Sequence, residues 1–113
     1  MSVVHTKSAD MPSDRSAIDV EGFTATVATF RGRPDPPGKW HHHGEHHVIA
    51  YLIWGKVTIE TGPGGSVVIE PMPGDLVHIE PGTVHRETYE GEVSIAGFSV
   101  GTGPGRVDVE GPE

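Results

Sequence analysis

Glycine and proline interrupt this chain so often that a helix has little room to form. They supply 16 and 10 of its 113 residues. No window of twelve residues combines a 3.6-residue apolar period with freedom from both. Between the interruptions lie short runs rich in β-branched and aromatic side chains, beginning with Phe23-Thr24-Ala25-Thr26-Val27-Ala28-Thr29-Phe30. Further strands are expected at 39–43, 47–54, 56–61, 66–70, 76–80, 84–89 and 92–100. The separators carry turn chemistry: Gly62-Pro63-Gly64-Gly65, Pro71-Met72-Pro73-Gly74-Asp75 and Pro81-Gly82, with Gly55 also read as a turn glycine. Many short strands at regular spacing imply an all-β sandwich or barrel with little or no helix, the jelly roll among the options. Residues 1–21 read as an irregular leader, and 22–113 as one domain.

Charge and composition narrow the function classes. Sixteen acidic residues stand against 8 basic ones, a formal charge of -8. Nucleic acid and anionic membrane surfaces both require a basic footprint, so neither is an expected partner. The longest apolar run, residues 48–54, is far too short to span a bilayer. There is no cysteine, which excludes disulfides, thiolate metal sites and cysteine nucleophiles. With no secretory signal at Met1–Lys7, the expected location is the cytoplasm.

Five of the eight histidines fall within residues 41–47. Imidazole is the commonest protein metal ligand, and packing rarely needs it so densely. The run is mid-chain and leads into the apolar segment 48–54, so it is not a tag. On a strand, His41 and His43 project together and His42 points away. Gly44 offers a turn after which His46 or His47 could supply a third ligand. His85, just after the Pro81-Gly82 turn, qualifies as a ligand from a distant strand. Glu87 and Tyr89 share its parity. Glu87 is a candidate base or hydrogen-bond partner to a ligand, and Tyr89 could project a phenol toward the cavity.

These residues resemble the two motifs of a small single-domain cupin, a double-stranded β-helix jelly roll. Pro37-Gly38 and His41-x-His43 open the first motif and Gly55 closes it; Gly74-Asp75, Pro81-Gly82 and His85 match the second. Together they span residues 37–89, about half the chain. The resemblance implies a cupin barrel with one divalent transition metal per chain: Fe, Mn, Ni, Cu or Zn. It departs from the family at two places. Val48 stands where the family has its glutamate, and Tyr89 where it has asparagine. An all-histidine set of His41, His43, His47 and His85 is therefore expected, with His46 as the alternative third ligand. Tyr51 and His78 are candidates for the wall of a substrate pocket, though each has an ordinary structural reading.

The activity that the resemblance implies is small-molecule chemistry, with a dioxygenase-type oxidoreductase as the leading expectation. Glu87 and Tyr89 are its candidate catalytic groups. A metal-dependent isomerase or lyase, or a non-catalytic binding cupin, stands as the alternative, since the fold hosts all of them. A homodimer is expected from the family's habit of packing sheets between subunits.

Overall fold

The computed structural model describes residues 3–10, 18–31 and 38–112. Eight strands run through them: β1 (Ile18–Val20), β2 (Phe23–Arg31), β3 (His41–His42), β4 (His47–Thr61), β5 (Val67–Ile69), β6 (Leu76–Ile79), β7 (His85–Val100) and β8 (Val107–Asp108). Two single 3-10 turns, Ser8–Asp10 and Pro63–Gly65, complete the regular structure. The all-β expectation holds, and no helix among the described residues is long and apolar enough to cross a membrane. Of the leader, residues 1–2 and 11–17 lie outside the described residues, whereas 18–20 form β1 and pair with β2. Residues 32–37 also lie outside them, among them Pro37 of the first motif.

All strands belong to one curled sheet in which neighbours run antiparallel. β7 is its hub, pairing with β2, β3 and β4. β4 in turn pairs with β5 and β6.

Two pairs of expected strands turn out to be continuous. Residues 47–54 and 56–61 form the single strand β4, and 84–89 joins 92–100 in β7. Gly55 is therefore not a turn residue. It sits where the β4–β7 register shifts, first between Leu52 and Trp54 and again between Trp54 and Lys56. Extra residues in one strand bend it and re-aim its side chains. Before Gly55 the inward positions are Val48, Ala50 and Leu52; after it they are Val57 and Ile59. The strand bends around the barrel while keeping its apolar residues inside.

Only glycine fits this corner. Gly55 has φ of 103°, and a Cβ there would meet the Glu92 carbonyl oxygen at 2.7 Å and Val93 Cα at 2.8 Å. Packed beneath it is the core of Leu52, Val57, Ile59 and Val93, with Val77, Tyr89 and Ile95 against it.

The outward positions form a second apolar surface. Ile49 pairs with Phe98, Tyr51 with Leu76, Phe98 with Ala25, and Val100 with Phe23. Ile18, Val20, Ile49, Tyr51, Leu76, Phe98 and Val100 are all exposed.

Gly55→Ala combines a forced left-handed backbone with a backbone clash. It should cost about 2 kcal/mol or more. Gly74→Ala, at φ of 94° with open space around its Cβ, should cost less. Thermal melts of the two variants check this: equal losses would mean that the Gly55 contact with Glu92 and Val93 is unimportant.

Candidate metal centre

Two stretches far apart in sequence meet at one rung of the sheet. His41 on β3 is the register partner of His85 at the start of β7. His43 follows at the end of β3, two residues on, and faces the same side. His46 N–H donates to the His43 carbonyl (3.0 Å), closing the turn after it, and Gly82 N–H donates to the Gly44 carbonyl (2.9 Å). The two motif loops are thus tied together. Gly44 has φ of 60°, and a Cβ there would lie 2.5 Å from the Pro104 carbonyl oxygen. The close approach of the chain after β7 requires glycine at that position.

The ring centroids of His41, His43 and His85 stand 4.4 to 5.1 Å apart. Each Nδ1 lies against a backbone carbonyl: His41 on Lys39 (2.7 Å), His43 on Gly105 (2.9 Å) and His85 on Thr83 (2.9 Å). A carbonyl only accepts, so each Nδ1 carries the proton and donates. This leaves each Nε2 with its lone pair available. Such outer hydrogen bonds fix the tautomer and ring angle of metal-ligating histidines.

The fourth member of the group is Glu87. One donor atom from each of His41, His43, His85 and Glu87 falls within a 4.8 Å spread. Glu87 Oε1 lies 3.0 Å from His85 Nε2, and Oε2 lies 3.7 Å from His41 Nε2. The expected His47 does not join them. Its side chain is exposed, with Nδ1 2.9 Å from His78 Nε2 and the two rings stacked. The alternative, His46, spends both ring nitrogens on Ser99 Oγ (2.8 Å) and the Gly103 carbonyl (2.9 Å). The all-histidine set is therefore replaced by three histidines and a carboxylate. Strand alternation decides the matter. On β4, His47 shares parity with outward Ile49 and Tyr51, while Val48 points in with Ala50 and Leu52. Glu87 was recognisable in the sequence by its parity with His85, though as a base or outer partner rather than as a member of the group.

Two further expectations change. Tyr51 is 40% exposed on the outer face and does not line the cavity beside Glu87; His78 pairs with His47 and lines a different pocket, of about 230 Å³, that His85 also borders. Tyr89 does line that cavity, beside Glu87. His42 faces away, accepting a hydrogen bond from Gly44 N–H (3.0 Å). Arg86 also faces away, forking onto both Glu60 oxygens at 3.1 Å and lying over the Trp40 ring.

The electrostatics are those of a desolvated donor set. Burial holds the pKa values of His41 and His43 below the ordinary imidazole range. Burial also opposes charge on His85, but the adjacent Glu87 carboxylate and the Thr83 carbonyl outweigh it, and its pKa is raised. Burial opposes ionisation of Glu87, but His85, His41 and His43 outweigh it and hold its pKa down. Burial, followed by the Glu87 charge, raises the Tyr89 phenol well above its usual range.

A divalent transition ion fits this set. His85 Nε2 is buried and makes no hydrogen bond of ordinary geometry, even toward the nearby Glu87 oxygen. A buried nitrogen of that kind is costly without an electrophile to receive its lone pair. Bonds of about 2.0–2.2 Å place opposite donors about 4 Å apart, so the spread needs to contract only slightly. Three imidazoles and a carboxylate suit Fe, Mn, Ni, Cu and Zn alike.

No family profile matches the chain, and no curated protein does. Solved structures do. An uncharacterized conserved protein with a double-stranded β-helix domain from Klebsiella pneumoniae superposes with a TM-score of 0.70 at 16% identity, covering 95% of this chain and 85% of that one. A cupin-2 domain containing protein from Shewanella frigidimarina gives 0.63 at 16% identity, over 77% and 78% of the two chains. The DMSP lyase DddQ from Ruegeria pomeroyi gives 0.62 at 20% identity, over 78% of this chain and 43% of that one. The curled antiparallel sheet has the fold of these solved structures, a double-stranded β-helix.

Proposed function

We propose that this protein is a mononuclear cupin metal enzyme acting on a small organic molecule, with dioxygenase-type oxidoreductase chemistry. The observation that carries the reading is the set of three imidazoles. Each is locked by a carbonyl at Nδ1 and turned toward one carboxylate at the wall of an internal cavity. Rigidly oriented donors of this kind suit reactivity at a bound ion better than surface scavenging of metal.

A bound redox-active ion would supply Lewis acidity and electron transfer between substrate and O2. The chain's own residues do the rest. Glu87 offsets part of the ion's charge. Leu52, Val57, Ile79 and Ile95 keep the cavity apolar and exclude water. Tyr89 keeps its proton and can donate a hydrogen bond to a substrate oxygen.

The same tyrosine allows a second reading, a metal-dependent lyase or isomerase, in which the neutral phenol hydrogen-bonds a developing substrate oxyanion. One of the structurally similar proteins is a lyase. Oxygen uptake against a substrate panel separates the two readings: consumption supports the dioxygenase, and turnover without it supports the lyase or isomerase.

The purified protein should carry about one equivalent of transition metal per chain. Glu87→Ala and His85→Ala should each weaken metal binding at least about tenfold. His47→Ala and His42→Ala should leave it unchanged. Elemental analysis and competitive metal titration check this, and depletion by His47→Ala with retention by Glu87→Ala would reverse the assignment.

Proton competition follows from the directions of the shifts. His41 and His43 are already neutral at pH 7, whereas His85 holds its proton to higher pH than an ordinary imidazole. Metal must displace that proton. Apparent affinity for Zn2+ should therefore begin to fall, as pH is lowered, from above the ordinary value of 6.5. In the metal-free protein an NMR titration should find His85 the last of the three to deprotonate. An affinity flat through that range would contradict the raised His85 pKa.

For assembly we propose a homodimer through the outer apolar face of β2, β4 and β7. Exposed apolar patches of this kind mark interfaces. Light scattering should give twice the chain mass, and Tyr51→Glu with Phe98→Glu should return it to one.

A further inference from the structure

The interior of the barrel beside the histidine group is a chamber of about 190 Å³. Its described lining is almost wholly hydrocarbon, with Val48, Ala50, Leu52, Val57, Val77 and Ile95 prominent. The polar side chains that reach it, His43, Glu87 and Tyr89, come from just after β3 and from β7, beside the metal group. Among the described residues no lysine, arginine or aspartate lines it. A charged group seated there would lose its hydration without a partner. An apolar cavity of about 150 Å³ admits benzene. This chamber therefore suits a body the size of one six-membered ring with one or two further atoms.

An open groove leads to it. Thr24, Thr26, His46 and Ser99 line the groove, and His43, Val48 and Gly97 line both spaces. Gly97 is the register partner of Ala50 on β4 and of Thr26 on β2, so the passage crosses the inner face of the sheet. A Cβ at Gly97 would meet nothing within 4 Å, and its φ is not left-handed. Neither backbone conformation nor packing demands glycine at this position. The absent side chain leaves the passage open.

We propose that the chamber seats the uncharged, ring-sized apolar body of the substrate, and that Gly97 and Val48 form the gate through which it enters. This rests on the metal-enzyme reading for the polar head of the substrate, which meets the histidine and glutamate group. The chamber itself is independent of metal. The class excludes substrates whose body carries a carboxylate or phosphate. It points to molecules with a small hydrophobic ring and a polar group at one end, of which catechol is a simple probe.

Calorimetric titration of the metal-loaded full chain with catechol and with 3,4-dihydroxybenzoate tests the chamber's polarity. Catechol should bind, and the carboxylate-bearing probe at least about tenfold more weakly. Gly97→Leu should weaken catechol at least about tenfold with metal content unchanged, and Gly97→Ala should weaken it less. The alanine variant keeps the test alive if the leucine variant fails to fold. Equal binding of the two probes, tighter binding of the carboxylate, or a Gly97→Leu protein that binds catechol as the parent does would overturn the proposal. Benzene added to the metal-free protein separates the two failures. NMR shifts at the methyls of Leu52, Val57 and Ile95 would uphold the chamber even in a protein that takes no metal, and their absence would refute it.

Discussion

The pairing of β4 with β7 is the constraint on which everything else depends. It runs from His47 opposite Val100 to Thr61 opposite His85, far longer than a typical sheet ladder. Strands of 15 and 16 residues cannot stay flat around a core of this size, and the register shifts flanking Gly55 give the bend. One half of the pair encloses Val48, Ala50 and Leu52. The other encloses Val57 and Ile59, with Glu87 and Tyr89 opposite them. Because β7 also pairs with β3, the bend that closes the core brings His85 against His41. Core and candidate site are thus built by one ladder.

The donor group owes its character to burial set against a single carboxylate. Buried imidazoles resist protonation, and a buried carboxylate resists ionisation. Here each partly cancels the cost of the other: Glu87 supports the charged form of His85, and the three imidazoles support ionised Glu87. The carbonyls of Lys39, Thr83 and Gly105 add direction to this balance, because each takes up the nitrogen that would otherwise compete for the lone-pair role. Two of these carbonyls lie two residues from the histidine they hold, on the same strand approach. That of Gly105 comes from the far end of the chain, so closing the third imidazole requires the segment after β7 to pack home.

Much of this was legible in the sequence. Glycine and proline spacing fixed the all-β class, and the pairing of His41 with His43 followed from alternation alone. His85 was located by the turn before it. What could not be read was continuity across Gly55 and across Gly91, because a glycine between two apolar runs marks a turn and a bulge equally well. The same ambiguity hid the parity of β4. Counting from a family pattern favoured His47, but the strand places His47 with Ile49 and Tyr51, on the outside. Hydropathy from Val48 to Trp54 is too uniform to show which alternate set faces in. The register with β6 settles it in the structure: Val48 pairs with buried Ile79, and Ile49 with exposed His78. The glutamate that mattered was visible all along, at the parity of His85, but nothing local to Glu87 distinguishes a donor to a metal from a neighbour of one.

Val48 and Glu87 are best understood together. A carboxylate on β4 at position 48 would stand between the groove and the apolar interior, because Val48 lines both. With the carboxylate on β7 instead, it lies beside His85 and keeps the same count of donors, while position 48 becomes hydrocarbon. The charge that the imidazoles require is retained, and the entrance is freed of it. Glu87 is opposite Ile59 in the register and next to Tyr89 on its own strand face, so its charge acts on the floor of the chamber and on the phenol. The polar end of the chamber is thereby gathered on β3 and β7, and β4 is left as a continuous apolar wall from Val48 to Ile59. A carboxylate at position 48 would interrupt that wall.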